Sequence, residues 1–223
     1  MGTLIVIEGL DGSGKGTQTA LLFDALQKAG VPCRKISLPH YDAPSSALVK
    51  EYLAGAYGDK PGDVNAYAAS AFYAVDRYAG YKTIWGADYE SGTVILADRY
   101  ATSNACHQMT KLPESEWDAY LEWLNDFEYR KLGVPKPDLV VYLDMPVAVS
   151  QTLLQQRYDG DNAKKDVHER DTAYLAACRD AALYAAKKDG WQVIACSKGG
   201  VPLPREAIAR DVLALVWSVV PHA

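Results

Sequence analysis

A glycine-rich stretch near the N-terminus carries the residues best suited to binding phosphate. It reads EGLDGSGKGTQT over residues 8–19 and places Gly9, Gly14 and Lys15 at the G-x-x-x-x-G-K spacing of a phosphate-binding loop. Glycines let backbone N–H groups turn towards phosphate oxygens, and a lysine at this place can reach the β- and γ-phosphates of a nucleotide. The stretch follows an apolar run and opens a helical pattern, which is the context that the motif requires. The alternative is a tight strand-to-helix turn with an exposed lysine.

The last position of the motif departs from the pattern, because Gly16 stands where a serine or threonine hydroxyl normally binds magnesium. Thr17 cannot replace that hydroxyl, since the next helical position points about 100° away. Mg²⁺ dehydrates reluctantly and keeps several waters. We therefore expect a hydrated Mg²⁺, bound with ATP and anchored mostly through water by three carboxylates: Asp11, Asp98 and Glu169.

Two further places combine an arginine with a partner suited to a second phosphate or a base. Asp98 and Arg99 end the apolar run TVILAD, where the acid suits magnesium and the guanidinium suits a phosphate. Tyr73 and Arg77 lie four residues apart in AFYAVDRYAG. One helix face would then offer a ring that stacks a base and a guanidinium that clamps its 5′-phosphate. A strand-end ion pair and a surface cation–π contact are the alternative interpretations.

These residues need a framework that brings them together. Five apolar runs are continuous rather than alternating, as in parallel strands buried on both faces: 3–8, 33–38, 93–98, 138–144 and 191–196. Helical patterns separate them, at 15–29, 44–55, 63–85, 114–131, 146–157, 171–189 and 204–219. The pattern predicts the α/β class, with a doubly wound five-stranded parallel sheet flanked by helices and ligands at the carboxyl ends of the strands. The charge-dense segment 157–171 is predicted to be a mobile lid.

Composition and charge limit the classes of protein. The 223 residues are 49% apolar and 23% charged, and they predict one globular domain over 1–223. The net charge of −5 argues against nucleic acid as a partner. No apolar run is long enough to span a membrane, and the cysteines and histidines lack metal-ligand spacing. We expect a cytoplasmic protein that binds neither nucleic acid nor membrane.

In combination, the motifs resemble those of one family. They are Glu8-Gly9-Leu10-Asp11 with the phosphate loop, Pro39-His40-Tyr41, Tyr73-x-x-x-Arg77, Asp98-Arg99-Tyr100-x-x-Ser103-Asn104 and the late charged segment. Their order and spacing resemble those of thymidylate (dTMP) kinases, which are P-loop nucleoside monophosphate kinases of the P-loop NTPase fold, over residues 3 to about 196.

The resemblance implies transfer of the γ-phosphate of MgATP to dTMP, giving dTDP and ADP. Tyr73 would stack the thymine, Arg77 and Arg99 would bind the dTMP phosphate, Asn104 would lie near the base, and Asp11 near the 3′-hydroxyl and magnesium. The implied catalytic residues are Lys15, Arg99, Arg157 and Asp11. The implied ATP-binding residues are Gly9, Asp11, Gly12, Ser13, Gly14, Lys15, Gly16, Thr17 and Arg157. The implied dTMP-binding residues are Asp11, Pro39, Tyr41, Tyr73, Arg77, Arg99, Asn104 and His107. Members of the family are usually homodimers.

Three departures from the family pattern bear on sugar discrimination and metal geometry, but not on the reaction class. They are Gly16, His40 in place of a frequent arginine, and Cys106-His107 in place of alanine and an aromatic residue that lies near the deoxyribose. The alternatives are a kinase for another nucleoside monophosphate or deoxynucleoside, and a catalytically silent nucleotide-binding regulator. A GTPase-type switch would need an N-K-x-D motif, which the sequence lacks.

Overall fold

The computed structural model describes residues 1–58, 60–157 and 172–220. Its main sheet contains five strands: β1 Leu4–Glu8, β2 Cys33–Ser37, β3 Val94–Asp98, β4 Leu139–Asp144 and β5 Gln192–Ala195. All pairings in this sheet are parallel, and the order is β2-β3-β1-β4-β5. The predicted five-stranded parallel sheet is therefore confirmed, and β1 with its glycine-rich loop lies at its centre.

Helices connect the strands and cover both faces of the sheet. Before β3 they are α1 Lys15–Lys28, α2 Ala47–Leu53, α3 Ala66–Gly80 and α4 Gly86–Glu90. After β3 they are α5 Thr102–Gln108, α6 Trp117–Asn125, α7 Val147–Arg157, α8 Thr172–Asp189 and α9 Arg205–Val216. None of the helices within the described ranges is long and apolar enough to cross a membrane.

The continuous apolar character of the strands follows from burial on two sides. Leu4 and Val6 of β1 pack into one core cluster, together with Ile95, whereas Ile5 and Ile7 pack into another on the opposite face. These four side chains of β1 are fully buried, as is Glu8 at its end. A strand that is covered on both faces is apolar at nearly every position, which is why the period-2 alternation of a half-exposed strand is missing from β1.

Several elements differ from the sequence-based expectation. Helix α5 was not predicted, and the patterns at 63–85 and 114–131 end in π-helical segments, Tyr81–Trp85 and Asp126–Lys131. A small antiparallel hairpin, β6 Ser197–Lys198 with β7 Val201–Pro202, follows β5. Of the predicted lid, residues 158–171 lie outside the described residues. The single-domain assignment stays a prediction.

Candidate active site

The phosphate loop joins β1 to α1, and its backbone requires glycine at two places. Gly12 has a φ of 80° and Gly14 a φ of 93°, in the left-handed region that strains other residues. A Cβ on Gly12 would also lie 2.7 Å from the carbonyl oxygen of Ser150. Gly14 offers no side chain to cap the first turn of α1. The N–H groups of that turn can therefore bind an anion.

Lys15 is the first residue of α1, and its side chain bends back over the loop. Its Nζ donates a hydrogen bond to the carbonyl oxygen of Leu10 at 3.0 Å and lies 3.5 Å from Asp11 Oδ1. Burial, reinforced by the charge of Arg99, lowers the pKa of Lys15, although Asp11 opposes this shift. The ammonium is thus already largely desolvated at the place where the motif holds phosphate oxygens.

Arg99 faces the loop from the end of β3. It has a φ of 69°, which is uncommon for a residue with a side chain, and its Nη2 donates to Asp11 Oδ1 at 2.5 Å. Burial alone would raise the pKa of Asp11, but Arg99, Lys15 and His107 outweigh burial and hold it well below its usual range. The structure therefore brings Lys15, Asp11 and Arg99 into one contiguous cluster, as the motifs predict.

Glu8 has a positioning role that the motif analysis did not assign. Its side chain is completely buried at the end of β1. Its Oε1 accepts hydrogen bonds from Thr102 Oγ1 at 2.8 Å and Ser103 Oγ at 2.7 Å, and its Oε2 accepts from the Gly9 N–H at 3.3 Å. One carboxylate therefore fixes the phosphate loop relative to the first turn of α5.

Gly16 and Asp98 face each other across the gap between α1 and β3. A Cβ added to Gly16 would lie 3.4 Å from Asp98 Oδ2. A hydroxyl at residue 16 would therefore lie next to a carboxylate. The space that glycine leaves between α1 and Asp98 suits a cation with bound water.

The charges of the cluster also suit a cation. Glu8, Asp11 and Asp98 supply three carboxylates, whereas Lys15 and Arg99 supply two cations. Among the residues that the structure describes, no group of three or more acidic, histidine or cysteine side chains could hold a metal directly. The carboxylate of Asp98 beside the gap at Gly16 suits an ion that is held through water and nucleotide phosphates. Glu169, the third predicted anchor, lies outside the described residues.

One large cleft, of about 1160 Å³, runs along the carboxyl ends of the strands. Its walls include almost all of the predicted site residues that the structure describes: Asp11, Gly12, Ser13, Gly14, Lys15, Gly16, Thr17, Pro39, Tyr41, Tyr73, Arg77, Asp98, Arg99, Asn104 and His107. Gly9, the first residue of the loop, is buried and is not part of these walls. Arg157 ends α7, and its side chain lies outside the described residues.

The end of the cleft beyond Arg99 is aromatic and carries an amide. The ring of Tyr73 packs edge-on against that of Tyr52, with centroids 6.4 Å apart. Asn104 is buried, and its Nδ2 lies 3.4 Å from the carbonyl oxygen of Ser70. A flat apolar wall beside a fixed amide suits a base with hydrogen-bonding edges.

Arg77 lines this end, but the structure places its charge differently from the expectation. Its Nε and Nη2 bond the two carboxylate oxygens of Glu128, at 3.0 Å and 2.5 Å, and both side chains are buried. Tyr100 covers the guanidinium at 5.4 Å from the ring centroid. The carboxylate neutralises Arg77, so this residue brings no net positive charge for a phosphate. Arg99, which shares Asp11 with Lys15, is better placed for that task.

The contacts of His40 explain why a histidine fits at this position, where many members of the family carry an arginine. Its backbone N–H donates to Asp76 Oδ2 at 2.8 Å, and its imidazole occupies the space beside Gly80, where a Cβ would lie 2.2 Å from its Cε1. His40 is not among the residues that line the cleft in the described part of the chain. Burial opposes ionisation of Asp76, but hydrogen bonds from His40 and Ser45 hold its pKa below the usual value.

The residues that form the opposite end of the cleft, at the start of α9, were not predicted from the sequence. Gln18 on α1 donates through Nε2 to the carbonyl oxygen of Arg205 at 3.1 Å and so joins α1 to the start of α9. Both residues line the cleft, together with Pro204 and Leu203, which follow the small hairpin. Strands of two residues have no readable periodicity, so no sequence signal could have placed this wall.

Together, the parallel sheet, the glycine-rich loop at its central strand and the cleft with an aromatic end define a P-loop phosphotransferase of the nucleotide kinase class. The family model described as thymidylate kinase matches residues 7–201. The chain belongs to the thymidylate kinase family and is a phosphotransferase. The resemblance seen in the motifs is therefore confirmed.

Individual relatives agree with this assignment. The chain is 34% identical over 191 residues to a thymidylate kinase of Mycobacterium tuberculosis, covering 84% of this chain and 87% of the relative. It is 27% identical over 220 residues to the human thymidylate kinase, covering 96% and 89%. A solved thymidylate kinase structure from Candida albicans superposes with a TM-score of 0.70 at 21% identity, covering 97% of this chain and 92% of that chain. This last likeness confirms the fold.

Proposed function

We propose that this enzyme transfers the γ-phosphate of MgATP to dTMP, giving ADP and dTDP. The observation that carries the proposal is that one cleft joins the phosphate loop, through Lys15, to an aromatic base site at Tyr73. Arg99 lies between these two ends and bonds Asp11 of the loop. A donor nucleotide on the loop and an acceptor nucleotide at Tyr73 would therefore meet at Arg99.

In the acceptor site, Tyr73 would stack the thymine, Asn104 would bond the base edge and Asp11 would lie near the 3′-hydroxyl. Pro39, Tyr41 and His107 would complete its walls, since all three line the same cleft. We assign the acceptor phosphate to Arg99 rather than Arg77, because Glu128 already balances the charge of Arg77. Arg77 stays in the proposed site as a hydrogen-bond donor without net charge.

The chemistry needs positioning more than proton transfer. The acceptor is a phosphate oxygen that is largely dianionic at pH 7, because its second pKa is about 6, so no strong general base is required. The obstacle is bringing two polyanions together, and cations with fixed geometry reduce that repulsion. Lys15 and Arg99 would supply two such cations. We retain Arg157 as a third, because α7, which it ends, lines the cleft through Leu153 and Gln156.

Magnesium would be held by Asp98 and Asp11, mostly through water, with Glu169 as a further proposed anchor. When bound, the ion would screen the phosphate charges of ATP. The gap at Gly16 supports this arrangement, because a hydrated ion needs more room than one bound to a hydroxyl.

We also propose a homodimer that works in the cytoplasm. Helix α3 and the π-helical segment after it expose Tyr67, Val75, Tyr78 and Ile84, each 38–50% accessible. Large apolar side chains exposed along one element suit a contact with a second copy of the chain. All four cysteines are free, as in a reducing compartment. Light scattering at micromolar concentration tests the dimer.

Release of ADP, measured with dTMP, dUMP, dGMP, AMP and thymidine, tests the proposed reaction. We expect dTMP to be the best acceptor and Lys15→Ala to lose at least about a hundredfold in kcat, as when a transition-state donor is removed. Preference for another nucleoside monophosphate would support the alternative kinase. Absence of turnover with every acceptor, combined with nucleotide binding, would support the silent regulator.

A further inference from the structure

A continuous series of polar contacts runs from the phosphate loop to helix α8. Lys15 Nζ lies 3.5 Å from Asp11 Oδ1, which accepts from Arg99 Nη2 at 2.5 Å. Arg99 Nη1 lies 3.3 Å from His107 Nε2. On its other side, His107 Nδ1 is 3.5 Å from Cys178 Sγ of α8. His107 therefore stands between the arginine proposed to bind phosphate and the helix that backs the cleft.

Hydrogen-bond chemistry assigns the protons in this series. A guanidinium carries only donors, so His107 Nε2 has to accept from Arg99 and the proton of a neutral ring has to reside on Nδ1. Two atoms of α8, Cys178 Sγ and Tyr174 Oη, each lie 3.5 Å from His107 Nδ1. We assign Cys178 Sγ as the acceptor for the Nδ1 proton, because 3.5 Å is an ordinary distance to sulfur and a long one to oxygen. Tyr174, one turn earlier on α8, stacks its ring beside the imidazole, with centroids 6.3 Å apart.

We infer that His107 is a positioning residue, held by α8 as the Nδ1–H tautomer, that fixes the orientation of Arg99. A guanidinium bound at one nitrogen can rotate about that contact, whereas contacts at both Nη1 and Nη2 define its plane. Two of the five N–H groups are then used, and three remain for an incoming phosphate. A phenyl ring at residue 107 could fill the same space but could not accept from Arg99. The inference rests on the proposed function, in which Arg99 binds the acceptor phosphate.

Two substitutions separate the acceptor nitrogen from the shape of the ring. His107→Phe keeps a flat ring and loses the acceptor, whereas the amide oxygen of His107→Gln reaches the position of Nε2. We expect His107→Phe to lower kcat/KM for dTMP by about tenfold or more, as for the loss of a hydrogen bond to a charged group. We expect His107→Gln to recover most of this loss, and the KM for ATP to stay within about twofold in both variants. Melting temperatures check that both variants fold.

A spectroscopic measurement decides the positioning role independently of turnover. Long-range ¹H–¹⁵N correlation spectra of the nucleotide-free protein show which ring nitrogen carries the proton, and His107→Gln identifies the signal among the four histidines. We expect His107 as the Nδ1–H tautomer and a mixture of tautomers in Cys178→Ala.

The outcomes are distinguishable. If the wild type does not phosphorylate dTMP, the proposed function fails, and the spectra still show whether His107 is held for Arg99. A proton on Nε2 in the wild type overturns the inference. An unchanged kcat/KM for dTMP in His107→Phe also overturns it. If that variant differs only in its discrimination between dTMP and ribothymidine monophosphate, residue 107 determines sugar choice alone, and the inference is again overturned.

Discussion

Arg77 and Glu128 form a buried, two-contact ion pair between helix α3 and the π-helical segment 126–131. Neighbouring charged residues of that segment, Asp126, Arg130 and Lys131, pair with one another at the surface. Glu128 alone among these four turns inward and is completely buried. π-Helical turns are rare and often mark functional sites, and this one places a single buried carboxylate against Arg77, which lines the cleft.

The first prediction concerns this pair. Glu128→Gln should lower the free energy of unfolding by about 3 kcal/mol or more, because it leaves Arg77 buried without a counter-charge. The double variant Arg77→Met with Glu128→Met should recover most of that stability, since it removes both charges and retains side-chain volume. Urea denaturation measures both effects. A double variant as unstable as the single one would show that the pair contributes shape rather than charge balance.

The second prediction concerns the base site. Tyr73→Ala should weaken dTMP binding roughly 5- to 150-fold, because stacking on an aromatic ring is worth about 1–3 kcal/mol per base. Tyr73→Phe keeps the ring and serves as the control, and ATP affinity should change in neither variant. Calorimetric titration of each nucleotide checks this. Equal losses for dTMP and ATP would contradict the assignment of Tyr73 to the acceptor end.

The third prediction concerns the glycine that follows the loop lysine. Gly16→Ser would place a hydroxyl beside Asp98 Oδ2 without a close clash, so we expect tighter binding of Mg²⁺ in the presence of a non-hydrolysable ATP analogue. The melting temperature should rise slightly, because serine has a higher helix propensity than glycine. Asp98→Asn should weaken metal binding both in the wild type and in Gly16→Ser. Titration with Mn²⁺ followed by paramagnetic resonance reports on the ion directly, and an affinity indifferent to both changes would place the metal elsewhere.

The fourth prediction concerns pH. Burial lowers the pKa of Lys111 to about 8, while its Nζ donates to Tyr52 Oη at 2.9 Å and the Val64 carbonyl oxygen at 2.8 Å. The pKa of Lys111 is therefore lower in the folded chain than in the unfolded chain. Between these two pKa values, the unfolded chain binds more protons than the folded chain. The stability contribution of Lys111 should therefore increase as the pH rises from about 8 to about 10.

Denaturant unfolding of the wild type and Lys111→Met across this pH range tests the prediction. The difference in unfolding free energy between the two should shift in favour of the wild type as the pH rises. The exposed Lys187→Met variant provides the control, because it makes the same substitution at a lysine on the surface. A flat difference for Lys111→Met would mean that burial does not perturb this ammonium.

The sequence predicted the sheet well because its three central strands, β1, β3 and β4, are buried on both faces and are therefore almost continuously apolar. It also predicted the cluster of Lys15, Asp11 and Arg99, since these residues follow two strands that lie side by side. Helix α5 was missed because its seven residues are short of two full turns and are held by Glu8, far away in sequence. The partner of Arg77 was missed because it is also distant in sequence: Glu128 lies 51 residues further along the chain. Contacts of this kind leave no local pattern.

The order of the cleft walls along the chain has a consequence for how specificity can change. On the proposed assignment, the acceptor walls come almost entirely from residues 37–108, and the donor walls come from 145–156 and 202–208, with the loop at 11–18 shared. Apart from the shared loop, each substrate is therefore bound by its own stretches of sequence. Because Arg77 pairs with Glu128 and His107 contacts α8, a chimera that exchanges residues 37–108 needs matching residues at these two places. With them, acceptor preference can be altered while the donor walls are inherited unchanged.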